Sequence, residues 1–202
     1  MNEKPYNPLD KANLGKSLKE ALFERGVTNL PPGSSFEGAG IYAIYYIGPL
    51  GYYSRIADRN ADDRWGLPIY VGKAIPPGSR RGILRLDEPP GNALYNRLRE
   101  HGESINQAEN LDLSDFRCRY LIADDIWIPL GETLVITSTR PVWNLYLDGF
   151  GLHDPGGGRR KQQRSLWDTV HPGRRWAARQ APNNLSIEEI LAALGNFIDD
   201  NY

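Results

Sequence analysis

The sequence predicts a mixed α+β chain: a small antiparallel sheet flanked by helices, with an N-terminal helix, a long loop or insertion after the first long strand and a basic, helical C-terminal extension. Three observations predict it. Short β-branched and aromatic runs stand at 40–47, 68–72 and 116–120, helical periodicities at 11–25, 92–105 and 187–198, and Pro/Gly breaks separate them. At 202 residues the chain is expected to form one domain with appendages.

Each element has its own justification. Leu14, Leu18 and Leu22 recur every four residues, which makes 11–25 a short amphipathic helix ending near Gly26, before the break Pro31-Pro32-Gly33. Gly40 to Ile47 reads as a buried strand, with Tyr42 and Tyr46 on one face and Tyr45 on the other. Gly48 to Pro68 carries Gly, Pro and six charges and reads as a long loop or insertion; Pro68 to Gly72 is a second, shorter strand. Asn92 can cap a helix running to about Ile105, with Leu94 and Leu98 on its stripe. Phe116, Cys118 and Tyr120 alternate with Arg117 and Arg119 as in a half-buried strand. Residues 130–139 favour a strand by propensity, while the flanking Pro129 and Pro141 also suit a short helix. Ser186 to Glu189 is a capping box opening a helix whose apolar face is Ile187, Ile190, Leu191, Leu194 and Ile198.

Composition excludes several classes. One cysteine, Cys118, rules out a disulfide framework and a Cys-based zinc site, and fits a reducing cytoplasm. With its polar start the chain is not expected to open on a signal peptide, and the longest uncharged run, Gly38 to Ser54, is too broken to span a membrane. Net charge is −1, but from Asp154 to Arg179 seven Lys/Arg face two Asp, with Trp167 and Trp176 interleaved. No P-loop, GxSxG, HExxH or EF-hand pattern is present, and His153 and His171 stand apart from any metal-ligand pattern.

Single residues are weak signals. Arg97 and His101 lie four apart and share a helix face, a cation beside an imidazole that suits an anionic transition state; more often, such a pair is a solvated face. Strand tyrosines are usually core, Lys73 follows a strand-end glycine, and Glu132 stands in an otherwise uncharged stretch.

Together they form a pattern. Gly40-Ile41-Tyr42, then Tyr70-Val71-Gly72 with Lys73, a helix with Arg97, then Glu132 and Asn144, resembles the GIY-YIG nuclease superfamily in order and context. Tyr46-Ile47-Gly48 also spells YIG, but it lies on the GIY strand itself, so Tyr70 to Gly72 is the matching partner and 48–67 an insertion in the hairpin. The resemblance makes 130–139 a helix and sets the core at about 38–147, extended by 1–37 and 148–202. His101, the long hairpin loop, and the segment Ser165-Leu166-Trp167-Asp168 with His171-Pro172-Gly173-Arg174 are similar to type II restriction endonucleases of this superfamily, in particular the group that cuts CCGCGG as SacII isoschizomers do.

The resemblance implies hydrolysis of phosphodiester bonds in double-stranded DNA. Glu132 is then a ligand of one Mg²⁺, with Mn²⁺ able to substitute. Arg97 clamps the phosphate, Tyr70 binds it or positions Tyr42, and Asn144 braces the Glu132 end. Tyr42 takes the water's proton or aligns the water. A phenolate at neutral pH costs ~4 kcal/mol, so either Lys73 and Arg97 lower its pKa or Tyr42 relays its proton to neutral His101, the route favoured here. Tyr45 and Tyr46 are left to packing. Arg159, Arg160, Lys161, Arg164, His171, Arg174, Arg175 and Arg179 are the candidates for contacting DNA, since arginine reads guanine. A palindromic site implies a homodimer, with 48–67 and the C-terminal helix as interface or core; the setting is prokaryotic cytoplasmic host defence. The competing readings are a DNA-binding protein of the same fold with a dead site, and a homing or repair nicking nuclease.

Overall fold

The computed structural model describes residues 7, 9–75, 90–154 and 162–202. Four strands, β1 (Thr28–Asn29), β2 (Gly40–Tyr46), β3 (Tyr70–Ala74) and β4 (Phe116–Ile122), form an antiparallel sheet in the order β1-β4-β2-β3. β2 is central and buried along its whole length, which is why it reads as an unbroken apolar and aromatic run rather than an alternation.

The two faces of β2 open onto two cores. Ile41, Ala43 and Tyr45 face α1 (Lys11–Phe23) and α4 (Ile128–Thr139), where Leu22, Ile128 and Val135 close the layer. Glycines let this layer approach: a Cβ on Gly15 would lie 3.1 Å from Leu134, and one on Gly131 3.2 Å from Ile41. Asp10 caps α1, accepting from the Ala12 N–H. Tyr42, Ile44 and Tyr46 face the larger core, built with α3 (Ala93–Gln107), α5 (Val142–Leu145), α6 (Leu166–Val170) and α7 (Ile187–Asn201). The helical assignment of 130–139 holds against strand propensity: Pro129 sits in the first turn, where its missing N–H costs nothing, and Thr133, Thr137 and Thr139 turn their hydroxyls back onto helix carbonyls.

The insertion is not a loop. Residues Gly51–Tyr53 form a 3₁₀ turn that runs into α2 (Ser54–Asn60), and Tyr53 and Ile56 are fully buried in the larger core. Asn60 holds its return, bonding the carbonyls of Tyr46 and Leu67 and accepting from the Leu67 N–H. The apolar face of α7 is likewise covered by its own chain through Ile190, Leu194 and Ile198, and the capping box is present. Both candidate interface elements therefore serve the core. No helix among the described residues is long and apolar enough to cross a membrane.

Candidate active site

The β2–β3 register sets Tyr42 opposite Gly72. The buried phenol leans over that glycine, so a Cβ at 72 would fall 2.4 Å from the Tyr42 hydroxyl. Beyond it, Tyr42 Oη lies 2.6 Å from Nε2 of His101, which comes from the buried stripe of α3. Tyr70, two residues before Gly72 and on the same face, sets its ring 5.2 Å from His101 and 6.3 Å from Tyr42. Burial pushes the Tyr42 phenol well above its usual range, Tyr70 adds to the rise, and Arg97 opposes it without winning. Burial, then the charge of Arg97, holds His101 well below the usual imidazole range. Both groups are neutral near pH 7, the state in which a phenol can donate to an imidazole nitrogen. Lowering of the Tyr42 pKa by Lys73 and Arg97, the first sequence-based route, is overturned by burial; Lys73 pairs elsewhere.

Arg97 lies one turn before His101, its side chain four-fifths buried. Its Nη1 donates to Glu100 Oε2 at 2.9 Å and to His153 Nε2 at 2.6 Å, and its Nη2 to the Gly151 carbonyl at 2.7 Å. Burial works against its charge, yet Tyr42, Glu100 and Tyr70 outweigh that and raise its pKa, so it is a permanent cation facing the two phenols. Phe150 stacks on His101 at 4.5 Å and 20°, closing the far side of the imidazole to water.

Lys73, next after Gly72, donates to Glu132 Oε2 of α4 at 2.5 Å; the Glu132 side chain keeps 19% of its surface open. Among the described residues no group of three or more His, Cys, Asp or Glu is placed to hold a metal. Mg²⁺ often takes one carboxylate and fills its other positions with water and phosphate oxygens, so this partly open hard-oxygen donor fits it. Asn144 does not brace the Glu132 end. Its side chain accepts from Val71 N–H and donates to Val71 C=O, both at 2.8 Å, closing the free edge of β3 between Tyr70 and Gly72.

The hairpin thus carries a tyrosine hydrogen-bonded to a buried histidine, beside a positioned arginine and a nearby carboxylate, and residues 34–198 match the family model of the Eco29kI GIY-YIG domain. The chain belongs to this family of restriction endonucleases. No curated protein matches it.

The Eco29kI GIY-YIG match spans most of the C-terminal extension, where two sequence-based expectations fail. His171 is fully buried. Trp143 Nε1 donates to Tyr53 Oη at 2.7 Å, leaving the Tyr53 proton for His171 Nε2 at 2.8 Å and the Nδ1 proton for Asn110 Oδ1 at 2.9 Å. Burial lowers its pKa to about 3. Arg174 is equally buried, in a two-pronged pair with Asp168. Neither can contact DNA in this fold. Arg175 and Arg179 are exposed and Arg164 is half-buried, while Arg159, Arg160 and Lys161 lie outside the described residues. Glu100, Phe150, Gly151 and His153 were missed as parts of the site, and Gly72 was read only as a motif letter. Only Gly72, as the third letter of its motif, had a signal in the sequence.

Proposed function

We propose that this Eco29kI-type protein is a type II restriction endonuclease that hydrolyses double-stranded DNA at a specific GC-rich palindrome, CCGCGG, with Mg²⁺. The observation that carries this reading is the 2.6 Å contact between Tyr42 and His101 beside the Arg97 guanidinium. The attacking water gives its proton to Tyr42 Oη as the phenol proton passes to His101 Nε2, so no free phenolate forms. Arg97 holds the phosphoryl oxygens with donors not spent on Glu100, His153 and Gly151, and its charge meets the charge that grows in the transition state. The imidazolium that forms is opposed by burial and by Arg97; the phosphate, arriving against Arg97, offsets the second of these. Tyr70 orients Tyr42 and the phosphate, and Lys73 fixes the Glu132 carboxylate. Glu132 would hold one Mg²⁺, with Mn²⁺ able to substitute, and the ion would supply stabilisation of the charge that develops on the phosphoryl group.

Base reading falls to Arg164, Arg175 and Arg179 with Arg159, Arg160 and Lys161. A palindrome cut in both strands by one centre per chain calls for a homodimer on DNA, working in the cytoplasm of a prokaryote against incoming DNA. The test is incubation with long mixed-sequence DNA, with Mg²⁺ or with EDTA. Discrete fragments only with Mg²⁺, with ends mapping to CCGCGG, are expected. Smearing or nicking would refute site specificity, and tight binding without cutting would make the chain a DNA-binding protein.

A further inference from the structure

The segment Ser165 to Asp168 with His171 to Arg174 is left without a role once Arg174 is removed from the DNA-contacting set. Its geometry is specific. All five N–H donors of the Arg174 guanidinium are engaged: Nε and Nη2 on the Asp168 carboxylate at 2.6 and 2.7 Å, Nη2 also on the Gly149 carbonyl at 2.8 Å, and Nη1 on the carbonyls of Phe150 and Leu152 at 3.1 and 3.3 Å. The rings of Trp167 and Trp176 each lie 4.6 Å from its central carbon. Asp168 is itself held by the Ser165 hydroxyl at 2.6 Å. Lysine, with three donors and no fork, cannot reproduce this.

The carbonyls that Arg174 gathers belong to the strap that lies on the active site. Residues 149, 150 and 152 turn their carbonyls toward Arg174, while Gly151 turns its own to Arg97 Nη2. The same strap stacks Phe150 on His101, sets His153 against Arg97 and passes close to Tyr70, whose hydroxyl would lie 2.5 Å from a Cβ at Gly151. Gly149 starts it at φ +109°, pressed against Ser165. A buried ion pair is not by itself a strong source of stability compared with an apolar pair of equal volume, so its use here lies in what it fixes.

We propose that Arg174, oriented by Asp168, is a positioning residue: it sets the Gly149–His153 strap and through it the guanidinium of Arg97 and the imidazole of His101. The inference rests on the reading of Arg97 and His101 as catalytic. Because a shift of about 1 Å in a catalytic group can cost ~10²-fold in rate, a loosened strap acts on the chemical step and not on DNA affinity.

The test compares wild type, Arg174→Lys, Phe150→Leu and Arg97→Ala in single-turnover cleavage at saturating DNA with Mg²⁺, in DNA affinity without metal, and in thermal unfolding. Rates are taken per folded molecule. Arg174→Lys is expected to bind DNA as wild type does and to cut ~10²-fold more slowly. Phe150→Leu leaves the Arg174 network in place, and so reports even where Arg174→Lys does not fold; about tenfold slower cutting at unchanged affinity is expected. Wild-type cutting rates by the folded variants, with only the melting temperature lowered, would overturn the inference. Arg97→Ala separates the two levels: if it cuts like wild type, the reading of the site itself fails.

Discussion

Replacing Gly72 by alanine adds a single methyl group where Tyr42 leaves no room. A Cβ built at 72 lies 2.4 Å from Tyr42 Oη, 2.6 Å from Cζ and 3.0 Å from Cε2. Ordinary carbon–carbon contact is ~3.5 Å, so the ring must withdraw by about 1 Å. The ring is fully buried and His101 stands behind its hydroxyl at 2.6 Å, so it cannot withdraw without losing that alignment. Overpacking of this kind costs about 1–3 kcal/mol, whereas alanine in a strand is otherwise favoured over glycine by about 0.5–1 kcal/mol. A misplaced proton acceptor is expected to lower the rate by ~10²-fold. The assay is single-turnover cleavage of plasmid DNA, with affinity measured separately without metal and stability by urea unfolding. A Gly72→Ala protein that is more stable than wild type and cuts at the wild-type rate would refute the close approach of Tyr42 to β3.

Glu132→Ala is expected to bind DNA and to lose Mg²⁺-dependent cutting; gel-shift and cleavage assays check this, and retained cutting removes Glu132 from the metal site. Asn144→Ala leaves both backbone groups of Val71 without their partner at the β3 edge and is expected to cost about 1–3 kcal/mol in urea unfolding, with faster exchange of the Val71 amide. His171, held neutral with a pKa of about 3, makes stability fall as pH drops below ~6.5, because the unfolded chain takes up a proton there and the folded chain does not. His171→Leu should therefore flatten the stability–pH slope between about pH 6 and pH 4 by ~1.4 kcal/mol per pH unit, and an unchanged slope would contradict a neutral His171.

What could be read from the chain was what repeats or caps. Leu14, Leu18 and Leu22, the Ser186 capping box and the β-branched run at β2 each carry a local period that the fold keeps. The nuclease hairpin was legible because order along the chain chose Tyr70 to Gly72 over the literal YIG at 46–48, and the register pairs Ile44 with Tyr70 and Tyr42 with Gly72. Helix α2 was not legible: its seven residues include one fully buried apolar side chain, Ile56, among charges, too short for a period. The basic segment misled because composition does not report burial. Its sole acid between Gly158 and Arg179 is Asp168, six residues before Arg174, and that was the available sign of an internal pair. The contacts of Phe150, Gly151 and His153 with α3 join positions about fifty apart and carry no local signal.

The central claim is that the Tyr42 hydroxyl mediates proton transfer from water to His101. Tyr42→Phe tests it most directly, since it removes one oxygen and keeps the ring that fills the core beside Gly72. Cleavage by the folded variant should be lost at saturating DNA and Mg²⁺ while DNA affinity is kept. A Tyr42→Phe protein that cuts at the wild-type rate would contradict it.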